Sequence, residues 1–269
     1  MKKVLMLIIL FILLGIMDAR AEDVFTEHSW DLGTEISYIK YEEPDVMEEK
    51  GAMYGIVGSY TSYGAFMSRY FMLKLEGKAS WGQVDYENSG TLDSIDDYML
   101  EFRGLFGRSC SVLDGTTIIP YLGFGYRYLN DDLTGTTSTG AVGYERESNY
   151  YYSPIGIEAL TTLENDWSMG IVLEYDIFWK GIQKSHLSDV NSSFNDLEND
   201  QNKGYGIRGS IKFQKISEEV DFTIEPFIRY WNIEKSEEET VTFAGAIFGY
   251  GYEPKNNSME IGGRFTVNF

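Results

Sequence analysis

Met259-Glu260-Ile261-Gly262-Gly263-Arg264-Phe265-Thr266-Val267-Asn268-Phe269 is the stretch that decides the fold. Counting back from Phe269, every second residue is apolar or glycine: Phe269, Val267, Phe265, Gly263, Ile261 and Met259. Asn268, Thr266, Arg264, Gly262 and Glu260 fall between them. A β-strand sends successive side chains to opposite faces, so this segment has one apolar face and one wet face.

The chain opens with Met1-Lys2-Lys3, an apolar run from Val4 to Met17, and Ala19-Arg20-Ala21. A basic start, a short apolar core and an A-x-A site predict a signal peptide over 1–21. The run is shorter than the roughly 20 residues of a bilayer-spanning helix, and no Cys follows it to carry a lipid anchor. The expected mature domain is 22–269. It lacks a long apolar run but is rich in Tyr (20), Phe (16) and Gly (28) and poor in Pro (5), which predicts an all-β chain. The formal charge is −20. Losing Lys2, Lys3, Arg20 and Asp18 removes three positive charges and one negative, giving −22. Such a chain repels nucleic acid. Cys110 is the single cysteine, so no internal disulfide forms; a buried, inert thiol is expected.

The same alternation recurs along the chain. Trp30, Leu32, Thr34, Ile36 and Tyr38 are followed by Tyr54, Ile56, Gly58 and Tyr60, and by Phe71, Leu73, Leu75, Ala79 and Trp81. Further segments carry Tyr98 to Phe106, Ile118 to Tyr128, Ile155 to Ala159, Trp167 to Trp179, Tyr205 to Phe213 and Phe222 to Tyr230. With the closing strand these make ten. Short turns at Gly64, Asp114-Gly115 and Glu164-Asn165-Asp166 alternate with long loops at 42–51, 85–97, 130–148, 181–203 and 234–257. Short turns on one side and long loops on the other are the pattern of a transmembrane antiparallel up-and-down β-barrel, with periplasmic turns and external loops. Aromatic residues gather at the predicted strand ends: Trp30, Trp167 and Phe269 at one, Tyr38, Trp81, Tyr98 and Trp179 at the other. They predict two interfacial girdles, which a soluble sandwich does not need. Pro226 within the ninth strand predicts a bulge or an irregular ladder. The segment 240–252 also reads as strand and is assigned to an extension or hairpin above the membrane, and closure of the first strand on the last is expected to bring Tyr41-Glu42-Glu43-Pro44 close to Tyr252-Glu253-Pro254.

Together these features resemble the ten-stranded bacterial outer-membrane barrels. Trp30-Asp31-Leu32-Gly33-Thr34-Glu35, Tyr41-Glu42-Glu43-Pro44 and Tyr252-Glu253-Pro254-Lys255-Asn256-Asn257 resemble an uncharacterised, porin-like family of them. The resemblance implies outer-membrane localisation in a Gram-negative bacterium. It implies contact with outer-membrane lipid and lipopolysaccharide, and assembly by periplasmic chaperones and the barrel-assembly machinery. Phe269 is the expected assembly signal. No catalytic residue or cofactor is implied.

The size class also includes the omptin proteases, which use aspartates and an Asp–His pair at the barrel mouth. His28 precedes the first strand here, on the wrong side, and His186 has Lys184 where an Asp-x-His pair needs Asp. An omptin-like surface hydrolase using loop carboxylates and His186 is therefore the alternative to a non-enzymatic barrel. The loop acids are Glu42, Glu43, Asp45, Glu48 and Glu49, then Asp85, Glu87, Asp93, Asp96 and Asp97, then Glu237 to Glu239. They lack calcium-loop spacing and read as solvated loops with loose divalent-cation binding.

The inward faces of the ten strands carry Lys74, Lys78, Arg103, Arg127, Arg208, Lys212, Arg229 and Arg264. Against them stand Glu35, Glu76, Glu101, Glu158, Glu174, Asp176, Glu225 and Glu260. Eight of each sign in a narrow interior predict ion pairs filling the lumen, with small or no conductance. The excess acid is assigned to loops and turns.

Overall fold

Residues 28–66 and 69–269 are described by a computed structural model; the expected signal peptide lies outside them. Period-two alternation builds thirteen strands. They are β1 (His28–Glu43), β2 (Met47–Phe66), β3 (Arg69–Asn88), β4 (Gly90–Leu113), β5 (Thr116–Thr136), β6 (Val142–Thr162) and β7 (Trp167–Ser185). Then come β8 (Leu197–Gln201), β9 (Gly204–Lys215), β10 (Asp221–Ile233), β11 (Glu239–Phe243), β12 (Ala246–Gly251) and β13 (Asn256–Asn268). Ten of them form one ring of antiparallel pairs: β6 pairs with β7, and β1 with β13. β8 lies beside the upper end of β7, and β11 with β12 forms a separate hairpin, as expected for 240–252.

Following the ladder from His28 through Ser62, Leu73, Phe106 and Leu122 leads to Ile155, Tyr175, Ile207, Tyr230 and Met259. The next partner is Lys40, twelve residues further along β1 than the start. Over ten strands that stagger corresponds to a tilt of roughly 40°, within the range of transmembrane barrels. The seam is sealed at its lower end. The Trp30 N–H donates to the Phe269 carbonyl at 2.9 Å, and the Phe269 N–H donates to the Trp30 carbonyl at 3.0 Å. Among the described residues the ring of ten strands leaves no open edge.

The outward face is apolar all round. Leu32, Ile36, Phe102 and Leu173 are each more than half exposed. A continuous ring of such residues far exceeds the apolar patches that water tolerates on a monomer. Hydrocarbon is the solvent that matches it, with every backbone group satisfied between strands. Aromatic pairs, some stacked and some tilted or edge-on, bound the ring. Trp30–Tyr60 (4.7 Å between centroids), Phe71–Phe106 (5.4 Å) and Phe222–Phe265 (6.1 Å) lie toward the periplasmic end. Tyr98–Tyr128 (6.4 Å), Tyr175–Tyr205 (5.9 Å) and Tyr205–Tyr230 (6.3 Å) lie toward the external end.

Several expectations need correction. The segments 42–51, 85–97 and 130–148 are not loops. They are upright strand extensions joined by tight turns, so β3 and β4 run to Asn88 and from Gly90. Their charges still alternate, which carries Glu43 and Glu49 inward to 3% and 4% exposure and Asp97 to 6%. Gly64 lies within β2, and His28 is the first residue of β1. Cys110 is half-buried on β4 rather than buried. At Pro226 the irregular ladder expected there is present: the pairing with β13 is regular, while the ladder toward β9 omits Glu225 and Pro226 with no register shift, a gap and not a bulge. Register shifts lie elsewhere, in the ladders β3–β4, β4–β5, β5–β6, β6–β7 and β11–β12. Tyr151 pairs with Lys180 and Tyr152 with Phe178, leaving Trp179 as the extra residue of β7.

Candidate functional site

The lumen is built by the alternation itself. All sixteen charged residues assigned to the inward faces are buried or half-buried. One cluster lies near the seam. Arg229 donates from Nη1 and Nη2 to the two oxygens of Glu35, each at 2.8 Å, and Nη1 also reaches Glu260 at 3.1 Å. Lys78 joins Glu260 (3.1 Å) and Glu35 (3.3 Å), and Arg264 joins Glu35 (3.0 Å) and Glu225 (3.5 Å). A second cluster lies across the barrel. Arg208 donates to Asp176 at 2.8 Å and to both oxygens of Glu101 at 2.5 and 2.9 Å. Arg103 pairs with Glu174 and, at 3.0 Å, with Glu76. Lys212 pairs with Glu158, and Lys74 with Glu76 at 2.8 Å. Arg127 lies over the rings of Tyr150 and Trp231, at 5.8 and 6.0 Å. Buried charges at this density persist because each of these carboxylates meets a cation, although Arg103 Nε is left without a hydrogen-bond partner.

Two tyrosines fill the space left by inward glycines. A Cβ at Gly125 would stand 2.2 Å from the Tyr152 ring, and one at Gly156 would stand 2.3 Å from the Tyr121 ring. Only glycine lets the rings lie flat on the opposing strand. The Tyr152 hydroxyl then donates to Glu101 at 2.7 Å, and the Tyr121 hydroxyl donates to Glu174 at 2.7 Å. Above them Tyr150, Tyr152, Phe178, Trp231 and Ile233 form a buried cluster. Arg208 faces the Tyr152 and Trp231 rings at 5.3 and 5.7 Å.

Above the external girdle lies a chamber in which Glu43 and Glu253 meet, as the closed seam predicts, while the other residues around them were not anticipated. Arg146 Nη2 meets both Glu43 and Glu253, at 2.5 Å to the latter, and the Tyr41 hydroxyl lies 3.0 Å from an oxygen of each, with one proton to donate between them. The motifs Tyr41-Glu42-Glu43-Pro44 and Tyr252-Glu253-Pro254 thus meet on one guanidinium. Beside them Glu49, Asp97 and Asp131 are buried, each with one oxygen lacking a hydrogen-bond partner. Burial, together with the nearby acids, pushes Glu49 and Asp97 well above the usual carboxylate range, against the pull of Arg146 on Glu49 and of Arg127 and Arg146 on Asp97. Burial raises Asp131 to about 6 and Glu253 to about 7. The excess acid is therefore partly inside the barrel wall, not only in loops and turns.

Several spaces punctuate the interior. A periplasmic cup of about 360 Å³ is lined by Lys74, Glu76, Arg103, Glu158, Lys212 and Arg264, among others. A space of about 60 Å³, lined by Tyr121, Glu174, Arg208 and Phe227, shares Lys74, Arg103 and Arg264 with that cup. An external vestibule of about 370 Å³ has Arg146, Glu43 and Glu253 on its lining and apolar walls including Met47, Leu133 and Leu197. Cup and vestibule share no lining residue. Between them, beside Glu49, Asp131 and Gln183, a space of about 10 Å³ holds at most one water.

The two histidines are far apart in the barrel. His28 accepts or donates a 2.8 Å hydrogen bond with the Tyr60 hydroxyl at the periplasmic end. His186 faces the outside of the wall, because the Trp179 bulge turns Gln183 and Ser185 inward. Its Nε2 lies 2.9 Å from Glu147 Oε1. The loop acids Glu237, Glu238 and Glu239 are exposed.

No family model and no curated protein matches the chain in sequence. Among solved structures, the outer membrane protease OmpT from Escherichia coli is similar at a TM-score of 0.63 and 9% identity, covering 92% of this chain and 99% of that one. The translocator domain of the autotransporter NalP from Neisseria meningitidis matches at 0.46 and 12%, covering 96% and 93%. The toluene transporter TodX from Pseudomonas putida matches at 0.36 and 10%, covering 92% and 90%. The likeness to OmpT is one of fold: this chain is a closed ten-stranded antiparallel barrel of the outer-membrane kind.

Proposed function

We propose that the chain is a non-enzymatic integral outer-membrane barrel whose lumen is sealed, and which acts at its external rim in surface binding or envelope structure. The observation that carries this reading is the separation of cup and vestibule, which share no lining residue and are divided by ion pairs and the Tyr152–Trp231 cluster. On this reading Phe269 is the residue that the assembly machinery engages. The test is swelling of proteoliposomes in a small sugar. The expected rate is that of protein-free liposomes, and rapid swelling would replace the proposal with a diffusion pore.

A second reading, a surface hydrolase, is favoured by the fold shared with a protease. Against it stands the outward position of His186, whose Nε2 is engaged by Glu147. Cleavage of casein or basic peptides by the purified protein, abolished by His186→Ala, would establish the hydrolase in place of the binding role.

A further inference from the structure

On the outer wall, above Tyr151 and Trp179, three side chains from β6 and the end of β7 converge. One carboxylate oxygen each from Glu145 and Glu147 and a ring nitrogen of His186 lie within 4.8 Å of one another. Glu145 and Glu147 are two residues apart on β6 and so share its outward face, while the bulge at Trp179 turns His186 to the same side. Backbone bonds hold the pieces in place. The His186 N–H donates to the Glu145 carbonyl at 3.0 Å, and the Glu145 N–H donates to Asp189 Oδ2 at 3.1 Å. Behind the imidazole, Nδ1 lies 3.6 Å from Asp196 Oδ2, and Asp196 Oδ1 accepts from the Ser188 N–H at 3.0 Å.

We infer that Glu145, Glu147 and His186 bind a divalent transition-metal ion of the zinc class on the outer face of the barrel. One imidazole with two carboxylates is a donor set that zinc accepts, leaving a fourth position for water. Calcium and magnesium prefer oxygen alone, so the imidazole is what discriminates. Asp196, 3.6 Å behind Nδ1, is placed to close to hydrogen-bond distance when the ion binds, giving the carboxylate–histidine arrangement that fixes the ring of a metal-binding histidine and its tautomer. Metal bonds of about 2.0–2.2 Å place tetrahedral donors about 3.4 Å apart, so Glu147, now 2.9 Å from Nε2, must open slightly, and a donor at the 4.8 Å limit must close by about 1.4 Å. The ion takes the place of the proton between Nε2 and Glu147, and that proton is released to solvent. Protons therefore compete with the metal, and binding strengthens as the pH rises.

The test is calorimetric titration of zinc into the folded, chelator-stripped protein in detergent, untagged and in excess magnesium. One equivalent should bind at pH 8 with micromolar or tighter affinity. His186→Ala should weaken it at least about 10-fold, and Asp196→Asn, which leaves the three donors intact, about 10- to 100-fold. Affinity should fall from pH 8 to pH 6. Should His186→Ala fail to fold, as judged by heat-modifiable mobility, Glu147→Gln carries the same expectation. The inference is overturned by no saturable zinc binding, by competition with magnesium at similar affinity, or by binding that these substitutions leave unchanged.

Discussion

Arg146 presents a single guanidinium to Glu43 and Glu253, with Glu49, Asp97 and Asp131 buried beside it. Glu253 and Asp131 have folded pKa values of about 7 and about 6, above the ordinary carboxyl values of 4.5 and 3.8. The folded state holds protons that the unfolded chain releases, so the stabilisation is full below the ordinary values and is lost as the pH rises through 6 and 7. Stability toward urea should fall between pH 5 and pH 8, by on the order of 2–3 kcal/mol. Glu253→Gln should flatten part of that slope; a midpoint that rises with pH would contradict the assignment. The glycines allow a second residue-scale prediction. Gly125→Ala drives a methyl into the Tyr152 ring and should cost about 1–3 kcal/mol by thermal or urea unfolding. Gly104→Ala, whose Cβ would meet only Leu75 at 3.7 Å, should change little. The membrane-level charges were legible because Glu101, Arg103, Arg208 and Arg229 sit in uninterrupted alternation. The approach of Glu43 to Glu253 followed from the closed seam, but the burial of Glu49, Asp97, Asp131 and Arg146 around them did not, because those segments are dense in charges and turn formers and read as solvated loops.

Among the elements, the seam of β1 and β13 was the most legible, since both strands alternate strictly, and the hairpin of β11 and β12 was also anticipated. The Trp179 bulge was not. Outward Trp179 fits the alternation below it, and nothing local in Phe178-Trp179-Lys180 marks the residue at which β7 changes parity. The height of the strand extensions was hidden for a related reason: hairpins above the membrane no longer need an apolar face, so the hydrophobic signal stops where the strands do not. The seam allows a direct test. Glu42 and Asn257 are cross-strand partners in the ladder, and opposed residues of antiparallel strands lie 4.5–5.5 Å apart at Cα, within disulfide range. With Cys110→Ala as background, Glu42→Cys with Asn257→Cys should cross-link on mild oxidation. Glu42→Cys with Ser258→Cys should not, because a one-residue step turns the side chain to the other face. Equal linking of both pairs would mean that the seam is not fixed in this register.

For the molecule as a whole, the ten-stranded closure, the tilt and the apolar belt define a barrel of small bore, and its interior side chains decide what passes. Arg208 ties Glu101 and Asp176 together under Tyr152 and Trp231, at the point where cup and vestibule are separated. Removing it leaves buried carboxylates uncompensated, at a cost of about 3–5 kcal/mol, and opens space where the lumen is filled. The most direct measurement is single-channel conductance of the purified, folded protein in planar bilayers. The wild type should show no steady open step, and Arg208→Ala with Trp231→Ala should introduce one. A large, stable open conductance in the unmodified protein would contradict the sealed lumen.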